Sequence, residues 1–197
     1  LTLISATPAR AQLPATAEAR MAAVERNLQR GVQVVGREPE RWTVERRLED
    51  YGVPAVSVAV IHDGRIDWAQ AWGYADVASR RKARPATLFQ AASMSKAVAA
   101  LGALTMVEDG LLSLDADVND ALVAWKVPEN RFTATHPVTL RGLLSHTAGT
   151  TVHGFAGYAA DEHMPSPVEV LNGAGNTDPI VVDTVPGSTW RYSGGGY

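Results

Sequence analysis

Cysteine is absent from this sequence, which excludes a disulfide scaffold and any thiol nucleophile and is compatible with an oxidising compartment. No run of about eighteen apolar residues occurs, so no membrane span is visible. Lysine is scarce, with three residues against ten serines. The arginines are scattered rather than gathered into a basic stripe interleaved with aromatics, and the formal net charge is −3, which argues against nucleic acid or another polyanion as a partner. Internal repeats and low-complexity linkers are lacking too. So is a Gly-x-Ser-x-Gly elbow, which disfavours the α/β-hydrolase route to an esterase. Without a His-Glu-x-x-His pattern, Asp161, Glu162, His163 and His153 make a poor metal ligand set and read better as solvated polar residues.

What remains is an ordinary globular composition, 46% hydrophobic and 20% charged, of a length that suits one or two domains. The opening stretch "LTLISATPARAQLPA" looks like the end of an apolar signal-peptide core followed by a small-residue cleavage site, Ala9-Arg10-Ala11 before Gln12. That reading predicts export to the periplasm or beyond. Helical spacing runs over Met21 to Arg30 and Glu40 to Tyr51, the second stopped by Gly52. The period then changes to that of strands. "VPAVSVAVIHDGRIDWAQAWGY" holds two β-branched and aromatic runs around Asp63-Gly64, a hairpin signal with surface His62 beside the turn. A loop is expected over Ala75 to Pro85, then a helix with Val98, Leu101, Leu104 and Val107 as a core face, ending at Gly110. Another helix is predicted over Val138 to Gly149, and the rest is rich in loops.

The scarce lysines single out one place. Ser93-Met94-Ser95-Lys96 has Ser-x-x-Lys spacing in an apolar run, whereas the other match, Ser79-Arg80-Arg81-Lys82, sits among arginines and reads as a solvated basic turn. Residues i and i+3 share a helix face, so Lys96 can reach the Ser93 hydroxyl. A serine hydroxyl needs a neighbouring base to act as a nucleophile, and a lysine desolvated by Ala, Val and Met neighbours becomes a better one. A nearby helix N-terminus would favour an oxyanion. The alternative is that Ser93 caps the helix and Lys96 reaches solvent.

Ser-x-x-Lys at Ser93 to Lys96, "LRGLLSHTAG" and the tail "PGSTWRYSGGGY" follow one another in an order that resembles the serine β-lactamase-like family. That family includes class C β-lactamases, penicillin-binding D,D-peptidases and related esterases. The Asp-Gly hairpin and "EDGLLSLDADV" fit the same pattern, so the resemblance covers roughly Val53 to Tyr197. It implies an α/β protein of the β-lactamase/transpeptidase-like fold, an antiparallel sheet flanked by helices beside a helical region. It also implies a serine hydrolase working through an acyl-enzyme, without metal or organic cofactor, on a small-molecule ester, amide or β-lactam. By the resemblance Ser93 is the acylated nucleophile, Lys96 its proton acceptor or electrostatic partner, and Tyr192 the second base or proton shuttle. Ser145 and His146, adjacent and so pointing apart, look like scaffold. A catalytically silent binding or sensor module of the same fold is the competing reading.

Two departures matter. Gly194 stands where the lactamase and peptidase branches place an asparagine, which favours esters. The family's third motif, a Lys/His-Thr/Ser-Gly strand, is not found. The chain therefore reads as a signal-peptide remnant, 1–11, followed by the N-terminal portion of a hydrolase domain, 12–197. On that reading the hairpin's edge and apolar face are expected to lack partners. Oligomeric state is not legible.

Overall fold

The computed structural model describes residues 16–159 and 161–197; the signal-peptide reading of residues 1–11 lies outside them. The chain divides into two compact units between Gln90 and Ala91.

In the first unit, α1 (Ala17–Glu25) starts where Thr16 accepts from the Ala19 N–H, and α2 (Val44–Tyr51) where Thr43 accepts from the Arg46 N–H. Both helices are shorter than, or shifted from, the spacing-based expectation. The reason is the same for each: Leu28 and Trp42, inside the predicted helices, pair with one another in an extended bridge, and the caps settle the ends. Gly52 closes α2 in the left-handed conformation, as expected.

β1 (Ala55–His62) and β2 (Arg65–Asp76) form the predicted antiparallel hairpin. Asp63 and Gly64 both have positive φ, the signature of a type I′ turn. The loop expected over Ala75 to Pro85 contains a short third strand, β3 (Arg81–Lys82), paired with β2. The register aligns Val56 with Trp72 and Val60 with Trp68 on one face. That face is not bare, contrary to expectation: Ala17, Met21, Val44 and Leu48 of the helices pack on it, with Trp68 and Trp72 buried. The Trp72 indole N–H donates to Glu25 at 3.1 Å and Arg20 to Asp67 at 2.7 Å. Burying a large apolar side chain is worth roughly 1.5–3 kcal/mol, and Trp68 and Trp72 are both buried in this layer.

The second unit opens with a single 3₁₀ turn, Ala92–Met94, that runs into α3 (Ser95–Glu108). Short helices α4 (Val118–Ala121), α5 (Leu140–Leu144) and α6 (Pro167–Leu171) punctuate long loops. Its core is Val118, Val127, Val138, Ala148 and Val182, with Trp125, Phe132, Leu140 and Leu143 against it. The helix predicted from Val138 to Gly149 is cut to five residues. Thr139 caps it at one end, and His146 adopts a positive φ of 58° just past the other, so the chain turns away.

The core face predicted for α3 has no partner among the described residues. No residue of α3 is buried, and Val98, Leu101 and Leu104 are all exposed. The period-three count found a stripe only because apolar side chains surround the helix on every side, together with Ala97, Ala99, Ala100 and Ala103. A helix apolar on all sides is one suited to burial on every side; among the described residues α3 has no such cover.

Gly149 fixes how the loop after α5 meets the tail that follows Val182. Its φ is +73°, and a Cβ there would lie 2.2 Å from the Thr184 carbonyl oxygen. A non-glycine residue in that region costs of order 1–3 kcal/mol before any clash is counted. Gly149→Ala in the full-length protein should therefore lower the urea midpoint by at least that equivalent, with an unchanged m value. A parent-like midpoint would show that the loop relaxes freely.

Candidate active site

Ser93 lies in the 3₁₀ turn directly before α3. The residue before it, Ala92, holds a φ of 44°, a left-handed conformation uncommon for alanine. Such a conformation stores backbone strain where the chain enters the helix. Ser93 caps nothing: no side-chain capping bond is made at the 3₁₀ turn or at α3. Lys96, one turn on, does not simply reach solvent. Its Nζ donates to Ser93 Oγ at 3.4 Å. The desolvating neighbours expected for it, however, point elsewhere, since Met94 and Val98 are exposed. Lys96 faces aromatic rings instead, with Nζ 5.2 Å from the centre of Tyr192 and 5.7 Å from that of Tyr197.

Tyr192 arrives from 99 residues away. Its hydroxyl donates to Ser93 Oγ at 2.9 Å. The Ser93 hydrogen bond first, and Lys96 second, hold the Tyr192 phenol below the ordinary tyrosine range. The segment carrying it is pinned on both sides. The Arg191 guanidinium donates to Asp183 at 3.1 Å and to the Gly149 and Thr150 carbonyls at 3.0 Å. The Ser193 hydroxyl, almost fully buried, donates to the Thr151 carbonyl at 2.6 Å and accepts from the Gly196 N–H at 3.0 Å. The three residues singled out from the sequence thus meet around one oxygen, at a cleft of about 530 Å³ lined also by His153, Gly154, Phe155 and Gly194.

The remaining candidates go elsewhere. Ser79 sits in an exposed turn with its N–H on Asp76, while Lys82 lies over the Tyr74 ring at 4.1 Å. Ser145 donates to the Arg141 carbonyl at 2.7 Å and does not engage His146. The ring of His146, expected to be scaffold, lies 4.4 Å from that of Tyr192. Glu162 accepts from the Ala159 N–H, closing a local turn. His153, weighed from sequence only as a metal ligand, stands 5.0 Å from the Tyr192 ring. No local pattern announced that placement.

Comparison with known proteins places the chain in a family. The family model described as Beta-lactamase matches residues 41–197. The chain belongs to the beta-lactamase family. Among curated members, the mitochondrial serine beta-lactamase-like protein LACTB of Homo sapiens is 33% identical over 113 residues, 57% of this chain and 20% of the relative. Protein flp of Staphylococcus aureus (strain NCTC 8325 / PS 47) is 27% identical over 157 residues, 78% of this chain and 30% of the relative. Of solved structures, the octameric penicillin-binding protein homologue from Pyrococcus abyssi superposes with a TM-score of 0.61 at 28% identity, covering 78% of this chain and 35% of that one. The D-amino acid amidase from Ochrobactrum anthropi gives a TM-score of 0.55 at 25% identity, covering 77% and 39%. The chain thus spans 20–30% of these curated relatives' length. The expected β-lactamase/transpeptidase-like fold is shown, with an antiparallel sheet in one unit and helices in both.

Gly194 lies close against backbone. A Cβ there would lie 2.9 Å from the His153 carbonyl oxygen and 3.2 Å from Gly154 Cα. Backbone occupies the space a side chain would need, and the Gly194 N–H donates to that same carbonyl at 2.9 Å.

Proposed function

We propose that the protein is a serine hydrolase that forms an acyl-enzyme on Ser93 and acts on a small ester or amide. The observation that carries this is the convergence of Lys96 Nζ and the Tyr192 hydroxyl on Ser93 Oγ. In the forward step, Ser93 Oγ forms a bond to the substrate carbonyl carbon. Its proton passes to the Tyr192 oxygen, ionised for that purpose, or to Lys96 if that side chain is the free amine. Negative charge on the carbonyl oxygen develops near the start of α3, where the helix presents its positive end. Collapse breaks the carbonyl–leaving group bond, and the departing alcohol or amine takes the proton. Water then hydrolyses the acyl ester on Ser93 through the same groups. That the D-amino acid amidase is a neighbour supports acyl transfer from an amide nitrogen. Action in the periplasm or outside the cell rests on Ala9-Arg10-Ala11 before Gln12 alone. Mass mapping of a fluorophosphonate adduct in the full-length protein tests the assignment of Ser93.

Within that chemistry, we propose esters as the better substrates. An asparagine at position 194 would offer an amide donor to a substrate amide; glycine offers none, and the His153–Gly154 backbone closes the space. A chromogenic aryl ester should show a higher kcat/KM than a chromogenic cephalosporin. Gly194→Asn should lower ester turnover rather than install lactam hydrolysis, because its Cβ meets backbone. A cephalosporin preferred by orders of magnitude in the parent would replace the ester reading with a lactamase one.

A further inference from the structure

We propose that His146 positions Tyr192 for proton transfer, and that it does so only as the neutral imidazole. The inference rests on the reading of Tyr192 as an acid–base group. His146 brackets Tyr192 from both sides along the chain. Its carbonyl accepts the Arg191 N–H at 2.9 Å and its ring Nδ1 accepts the Ser193 N–H at 3.3 Å. Between those two bonds its ring lies on the Tyr192 ring, centroids 4.4 Å apart and tilted by 36°. One residue thus holds the preceding amide, the following amide and the face of the phenol whose oxygen meets Ser93. Its own backbone is left-handed, the conformation that aims carbonyl and ring at the same short segment.

The hydrogen bond dictates the protonation state. Nδ1 can accept from Ser193 only if it carries no proton; an imidazolium has N–H on both nitrogens and would set a donor against a donor. Charge opposes protonation as well. The titratable groups facing the ring are Lys96 from α3, and Tyr192 and Tyr197 from the tail, with Trp190 edge-on at 6.2 Å. His153 stands against the same Tyr192 ring, and the nearby Asp183 carboxylate is engaged by Arg191. Partial burial first, and the Lys96 charge second, push His146 below the usual histidine range, against a smaller opposing effect of the Ser193 backbone. The sign follows. The unfolded chain binds the proton more readily, so the contact is intact above about pH 6.5 and is lost as pH falls from there through the folded titration.

Asparagine separates positioning from mere bulk. Among non-glycine residues it tolerates positive φ well, and its side-chain oxygen can accept where Nδ1 does but does not titrate. In the full-length protein, the rate of Ser93 acylation by an activated ester should be followed from about pH 5 to 8, the range over which histidine titrates. His146→Ala should slow acylation roughly 10-fold or more at pH 8, the scale of one lost hydrogen bond. His146→Asn should recover most of that loss and show an acid limb moved to lower pH than the parent's. An alanine variant as fast as the parent, an asparagine variant as slow as alanine, or an unmoved acid limb in the asparagine variant would each overturn the proposal. Urea unfolding over the same pH range reads the contact without activity: the parent should lose stability relative to His146→Asn as pH falls below about 6.5. Should Ser93 of the parent take no label at all, the hydrolase reading fails, and the unfolding comparison still decides whether neutral His146 holds the Tyr192 segment.

Discussion

Ser93→Ala, made in the full-length protein, should abolish labelling by a fluorophosphonate or activated ester and lower kcat by about 10⁶-fold, the scale seen when a serine nucleophile is removed alone. The expectation is sharp because no other group is placed to substitute. The chain has no cysteine. Ser79 belongs to an exposed turn, and Ser145 donates to a carbonyl in its own helix. Only Ser93 Oγ meets both an ammonium and a phenol among the described residues. Ser79→Ala is the matched control and should label and turn over like the parent, since its Ser-x-x-Lys spacing brings no base to the hydroxyl. Peptide mapping locates the adduct. A label that persists in Ser93→Ala would sink the assignment. A folded parent that binds a substrate analogue but never acylates would instead favour the silent binding module.

How far the sequence reached depends on the range over which each signal acts. Turn chemistry is local, so Asp63-Gly64 announced the hairpin and Gly52 the end of α2. The Ser93–Lys96 pair is equally local, set by three residues of helical rise, and the structure keeps it. Tyr192 meets Ser93 across 99 positions, and nothing in periodicity could bring them together; the order of three motifs did. What failed was inference about faces. Apolar spacing along α3 predicted a single core side, but its residues are apolar all round and name no one face, and none of them is buried among the described residues. The helix after Val138 was overextended because His146 turns the chain by a positive φ that no propensity scale assigns to histidine. The same residue shows the limit of separating scaffold from site. "LLSHTAG" reads as structure, yet its His146 contacts the segment that carries Tyr192. His153 and Phe155 line the cleft through a loop whose course is a property of the packed unit.

Lys96→Ala and Tyr192→Phe should each slow acylation by about 10²- to 10⁴-fold, the usual loss when a positioned acid or base is removed. The two losses should not multiply. Both groups bind the same oxygen, and the ammonium helps hold the phenol below its ordinary range, so removing either disables one proton path. The pH dependence separates their roles. Tyr192 accepts a proton only when ionised, so the acylation rate should rise with pH through the Tyr192 titration, at a pH below the ordinary tyrosine value of about 10. In Lys96→Ala the Ser93 hydrogen bond, the larger cause of the lowering, remains, while both Lys96 contributions vanish. That limb should then move upward in pH without disappearing. Tyr192→Phe should abolish it. The decisive measurement is the single-turnover acylation rate of parent, both single variants and the double variant across that limb. A double variant whose loss equals the product of the single losses would mean two independent functions. A Lys96→Ala profile with an unmoved limb would mean that the ammonium serves the substrate rather than the phenol, leaving Tyr192 to take the Ser93 proton unaided.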